Sequence, residues 1–168
     1  MDATALKALQ APLKQAYRDD PGQALITLRA KGAVDDQSIA CKVETGRALA
    51  VAGLHPATGG TGLELCSGDM LLEALVACAG VTLKAVATAL DFKLGHAAVT
   101  AEGDLDFRGT LGVAKDAPVG FRAIRLAFDL DTDEPQERID SLIKLTERYC
   151  VVFQTLSTRP ELSVTARR

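Results

Sequence analysis

Residues 67–90 read SGDMLLEALVACAGVTLKAVATAL. Apolar or small residues occupy almost every face of the helix this stretch would form, and Asp69, Glu73 and Lys84 are its only charges. A half-solvated helix confines its apolar residues to one stripe, so this spread predicts a helix from Asp69 to about Leu90 that is surrounded by protein. Ser67 is the expected N-cap, and Asp69 in the first turn complements the helix dipole. Some 22 residues at 1.5 Å each give a length of ~33 Å, enough to span a small domain. The longest apolar run, Met70 to Leu90, carries Glu73 and Lys84 and opens on that cap, which predicts a buried central helix and not a membrane span.

Upstream, Ala3, Leu6, Leu9, Leu13 and Tyr17 recur at helical intervals and predict an amphipathic helix over residues 3–18 despite Pro12, broken by Pro21-Gly22. The runs ALITLRAKG, SIACKVE and RALAVAG then predict a three-stranded antiparallel meander. A loop with Gly59, Gly60 and Gly62 leads to the central helix and is expected to be a flexible entrance to a site. Downstream, residues 97–113 and 119–131 predict a hairpin, with Phe121, Ile124, Leu126, Phe128 and Leu130 facing a core. A second helix is expected from about Glu134, with Pro135 in its first turn, and LSVTARR at the C-terminus predicts an edge strand. This order of elements is α+β, with an N-terminal helical extension at 1–20 and a single domain at 21–168.

A chain of 168 residues accommodates one domain with a real core. Hydrophobic residues make up 48% and aromatics only 4%, so the core is built from Ala, Leu and Val, and a platform for stacking bases is excluded. A net charge of −3 leaves no excess cation for a phosphate backbone, which argues against nucleic acid as partner. The charged N-terminus is not a signal peptide, so the expected location is the cytoplasm. There Cys41, Cys66, Cys78 and Cys150 are either small core residues or working thiols.

No CxxC occurs, the cysteine spacings are 25, 12 and 72 residues, and His55 and His96 lie at no ligand-like interval. That argues against zinc, and the absence of a Gly-x-Ser-x-Gly elbow argues against a triad hydrolase. Neither a metal nor another cofactor is expected. Cys41 alternates with Ile39 and Val43 as a core residue would, and Cys66 beside the central helix N-terminus is a candidate accessory thiol. Cys78 in LLEALVACAGVTLKAVA and Cys150 in LTERYCVVFQTL stand apart by their settings.

A Gly-rich loop, then SGDMLLEALVACAGVTLKAVA, two long strands and LIKLTERYCVVFQTL resembles the OsmC/Ohr family of osmotically inducible and organic hydroperoxide resistance proteins, over roughly residues 24–168. The resemblance implies antiparallel sheets packed on a long central helix in an intertwined homodimer, with active sites at the subunit interface. It further implies a thiol-dependent peroxidase that acts on organic hydroperoxides in oxidative-stress defence. Cys78 matches the peroxidatic cysteine, which becomes a sulfenic acid. Cys150 matches the resolving cysteine, which closes a disulfide for an external dithiol to reduce.

In the best-studied members an Arg of the N-terminal hairpin, held by a Glu near the start of the central helix, favours the thiolate. Here the Glu position falls on Gly68, with Asp69 beside it and Glu64 upstream, and residues 33–38 read AVDDQS with no Arg. Arg29 and Arg47 are the candidate replacements, and the proline that commonly follows the second cysteine is replaced by Val151. These departures place the chain in an OsmC-like branch apart from the organic hydroperoxide reductases proper. Thr82, one turn after Cys78, is a candidate hydrogen-bond partner of the sulfur, against the commoner bond to its own i−4 carbonyl. Glu73 lies about 140° around the helix from Cys78. The alternative to a peroxidase is a non-enzymatic redox sensor or a binder of an apolar ligand; a Cys78 thioester enzyme lacks a base.

Overall fold

The computed structural model describes residues 3–34, 41–43, 52–63 and 65–166. Helix α1 (Ala3–Asp19) carries Pro12 within it, and Asp20 ends it by accepting the N–H of Gly22 in a short 3₁₀ turn over Pro21–Ala24. Strand β1 (Leu25–Val34) follows, then β2 (Cys41–Val43), antiparallel to it. The expected third strand of the meander departs from the sequence reading. Its described part, β3 (Ala52–Gly53), pairs in parallel with β4 (Leu65–Cys66) in a separate two-stranded sheet. Pairing partners are chosen by tertiary packing, which a β-prone run does not specify.

Helix α2 (Ser67–Ala89) is the long apolar helix, with Cys66 in the N-cap position and Ser67 already inside the first turn. It is long and apolar enough to cross a membrane by length and composition. Here it packs on β1 and on β5 (Ala97–Asp106), burying Leu72, Leu75, Val76, Ala79 and Leu83. Its C-terminus is clamped by Arg138, whose guanidinium donates to the carbonyls of Leu90 (2.9 Å) and Asp91 (3.3 Å) and lies over the Phe92 ring. Those are two of the carbonyls that a helix end leaves without intrahelical partners.

Strands β5 and β6 (Ala123–Leu130) form the expected antiparallel pair, joined through a helical turn, α3 (Phe107–Thr110). The large sheet runs β2-β1-β5-β6. Alternation works as predicted: Phe121, Ile124, Leu126, Phe128 and Leu130 pack against the core, while Arg125 reaches Asp104 and Glu102 on the other face. Helix α4 (Gln136–Tyr149), with Pro135 as N-cap, is followed by α5 (Val151–Ser157). The C-terminal segment differs from expectation, because residues 158–166 form no strand and are exposed. Pro160 removes one ladder donor, and Leu162 and Val164 reach solvent.

The Gly-rich loop is tied down at the N-terminal end of α2. Tyr17 donates to the Ala57 carbonyl and Gln10 to that of Thr58, so α1 holds the loop. A Cβ at Gly60 would lie 1.6 Å from the Leu54 carbonyl oxygen, and only glycine permits that approach.

Leu72 has no solvent exposure, so Leu72→Ala should destabilise the fold by about 2–5 kcal/mol in chemical denaturation. A loss under about 1 kcal/mol would show that α2 is not the packed centre of the core.

Candidate active site

Cys78 sits halfway along α2, and Cys150 is the single extended residue between α4 and α5 (φ −72°, ψ 106°). That position gives Cys150 two backbone roles. Its N–H bonds the Thr146 carbonyl at 2.9 Å to close α4, and its Sγ accepts the Phe153 N–H at 3.5 Å to cap α5. The first N–H groups of a helix have no intrahelical acceptor. Here the N–H groups of Val151 and Val152 favour the charged form of Cys78 and lower its pKa.

The Cys150 thiol and the Thr82 hydroxyl act on Cys78 in the same direction. Thr88, Thr146 and Thr155 all bond the carbonyl four residues back, whereas Thr82 contributes to the lowering of the Cys78 pKa. The two sequence-predicted cysteines lie near enough to influence each other's ionisation, and both thiols are free.

The donors divide the pair. Burial pushes the Cys78 thiol up, but the hydrogen bonds from Val152, Cys150, Val151 and Thr82 outweigh it, and its net shift is downward. Burial pushes Cys150 up, and donating to the charged neighbour keeps its proton in place, despite the Phe153 N–H, so that its pKa reaches about 11. The arrangement sets a more acidic thiol beside a less acidic one, and the groups that lower Cys78 are all neutral. Among the described residues, no three His, Cys, Asp or Glu side chains are placed to hold a metal.

The other candidates lie elsewhere. Asp69 precedes Cys78 by nine residues on α2, a rise of ~13 Å. Its charge interacts with His55: burial raises its pKa, and that histidine offsets part of the rise. Glu73 is likewise raised, by burial and then by Asp69. His55 stacks on Phe107 and accepts the Ala57 N–H through Nδ1, and burial lowers its pKa. Cys66 is twelve residues from Cys78, or ~18 Å along the helix, too far for a disulfide within the chain. The Gly-rich loop sits at this same end and is not beside the thiol pair.

Arg29 lies on β1 at the register position opposite Glu102, a residue whose carboxylate meets Arg125 on the sheet face turned from α2. Glu64 and Arg47 fall outside the described residues, and so does the segment 35–40. The residues that sequence reasoning missed are Val151 and Val152, which act through backbone N–H groups. The signal was the Val at 151: proline there would have no N–H to give.

Val151→Pro tests this with little risk to the helix, since proline is well tolerated at the first helical position. Because the thiolate is the reactive form, losing a donor should move the pH profile of Cys78 alkylation to higher pH. At pH 7 the rate should fall ~10-fold, as expected for one hydrogen bond to a charged group. Thr82→Val should act in the same direction and Thr82→Ser should restore the profile, read by peptide-resolved mass spectrometry. Profiles that do not move in either variant would show that these donors do not hold the thiolate.

A family model described as OsmC-like protein matches residues 60–165. Among solved structures, the crystal structure of an OsmC-like hydroperoxide resistance protein from Jannaschia sp. CCS1 is similar in fold. Its TM-score is 0.58 at 18% identity, and the match covers 83% of this chain and 91% of that one. No curated protein sequence matches the chain significantly. With the family model covering well over half of the sequence, the chain belongs to the OsmC-like family.

Proposed function

We propose that the protein is a thiol peroxidase acting on organic hydroperoxides in oxidative-stress defence, with Cys78 peroxidatic and Cys150 resolving. The observation that carries this reading is the mutual influence of two free thiols whose pKa values are shifted in opposite directions. The Cys78 thiolate attacks the terminal oxygen of the hydroperoxide. The O–O bond breaks, the alkoxide leaves and takes a proton from water to become an alcohol, and Cys78 becomes a sulfenic acid. The Cys150 sulfur then attacks the sulfenic sulfur, its own proton leaves with the hydroxide as water, and a Cys78–Cys150 disulfide forms. An external dithiol reduces that disulfide by exchange, itself becoming oxidised. The cytoplasm, where thiols are kept reduced, suits this cycle.

The same reading includes a homodimer. Leu71, Ala74, Cys78 and Val81 form a stripe along α2 at helical spacing, and Leu71 and Val81 remain 37% and 38% exposed. A second copy laid along the stripe would bury this apolar face and enclose the thiolate. A cavity of about 580 Å³ between α2, α5 and the start of β6 favours a second reading, the binding of an apolar ligand without turnover.

One equivalent of cumene hydroperoxide should convert the reduced protein to the intramolecular Cys78–Cys150 disulfide, seen by non-reducing peptide mapping. Cys78→Ser should abolish peroxide consumption, and Cys150→Ser should leave a sulfenic acid that dimedone traps. Peroxide consumption that survives Cys78→Ser would overturn the assignment.

A further inference from the structure

We propose that α5 is a redox-sensitive gate: closing a Cys78–Cys150 disulfide strips the cap from this helix, and the loosened segment admits the dithiol that reduces the bond. This gate rests on the cysteine pairing of the peroxidase reading and not on turnover.

A reducing dithiol meets an obstacle in the closed structure. Cys150 is only 1% exposed, and exchange requires a thiolate to reach one of the bonded sulfurs. The cover is α5, which lays Val152 and Phe153 against the core. It is a weakly held cover. Helix α5 has seven residues, none of them buried, and Val151 and Leu156 are 70% and 39% exposed. A helix this short is marginal in water unless packing or capping holds it. Beyond it, residues 158–166 are exposed and form no helix or strand.

The fastening at its start is the Cys150 sulfur, which accepts the Phe153 N–H at 3.5 Å where many helices carry a side-chain oxygen. The N–H groups of Val151 and Val152 favour the charged form of Cys78, so the first turn of α5 is served by two sulfurs. Disulfide formation ends both services. The sulfurs join, both thiol protons leave, and two electrons pass to the oxidant. Cys78 then carries no charge, and the Cys150 sulfur is held by Cys78 and no longer set by the helix it caps. The bond tethers Cys150 itself but brings no new acceptor to the α5 amides. Global and local stability therefore move in opposite directions: the cross-link closes a long loop and raises the first, while the lost cap lowers the second.

Once α5 opens, a thiolate of the dithiol attacks one disulfide sulfur and the other leaves as a thiolate. The second thiol of the reductant then completes the exchange and forms the reductant's own disulfide. With the Cys150 thiol restored, α5 closes over the reduced pair.

Peptide-resolved hydrogen exchange on the full-length Cys41→Ser/Cys66→Ser protein, reduced and after oxidation by diamide, tests the gate; the azo group of diamide takes up the two electrons and two protons. On oxidation the amides of residues 153–157 should lose about 10-fold in protection, the equivalent of one helix cap, while those of α2 and β5 should gain. In the reduced protein Cys150→Ala should reproduce the α5 loss, and Cys150→Ser, which keeps an acceptor, should not. Thr155 is exposed on α5, and Thr155→Gly and Thr155→Ala both remove its hydroxyl but differ in helix propensity. Dithiothreitol should therefore reduce the disulfide about 5-fold faster in the glycine variant. Unchanged or greater α5 protection on oxidation, full α5 protection in Cys150→Ala, or equal reduction rates would overturn the gate. Loosening of α5 under diamide in a protein inert to hydroperoxides would sustain the gate and sink the peroxidase reading alone. Failure of diamide to join Cys78 to Cys150 would overturn both.

Discussion

A sulfur enclosed by an apolar helix carries charge only if donors reach it, because burial alone favours the neutral thiol. In this protein the donors come from a second helix that starts beside the sulfur. Cys150 stands extended between α4 and α5, so its position opens α5, aims the N–H groups of Val151 and Val152 at Cys78, and places a second thiol in the same contact. Breaking the chain into two helices at this residue is the constraint from which the site follows. A continuous helix would spend those N–H groups on its own carbonyls.

Among the described residues, the groups that lower the Cys78 pKa are neutral donors. The hairpin region where an Arg is expected reads AVDDQS, and the proline expected after the second cysteine is Val151. Val151 keeps a backbone N–H that a proline at that position would lack. Asp69, beside the expected Glu position, instead serves a cluster with His55 and Glu73 at the other end of the helix.

Much of the fold was legible in local periodicity. The all-round apolarity of α2, the interrupted but amphipathic α1, the alternation of Ile124, Leu126, Phe128 and Leu130, and the start of α4 at Pro135 are properties of short windows. Thr82 was legible as well, since four residues bring a side chain back to the same helix face. The partner of β3 and the fate of residues 158–166 were not, because strand pairing depends on what lies alongside. The Val151 and Val152 donors were hidden for a different reason: a backbone N–H belongs to almost every residue, and only its freedom at a helix start makes it functional.

The most direct test of this account is a thiolate absorbance titration of the folded Cys41→Ser/Cys66→Ser protein, in which only the pair contributes. Two separated steps should appear, the first below the ordinary thiol range near 8.5 and the second near 11, where Cys150 loses its proton. Two overlapping steps at ordinary thiol values would contradict it, showing that the opening of α5 at Cys150 does not set the two sulfurs apart.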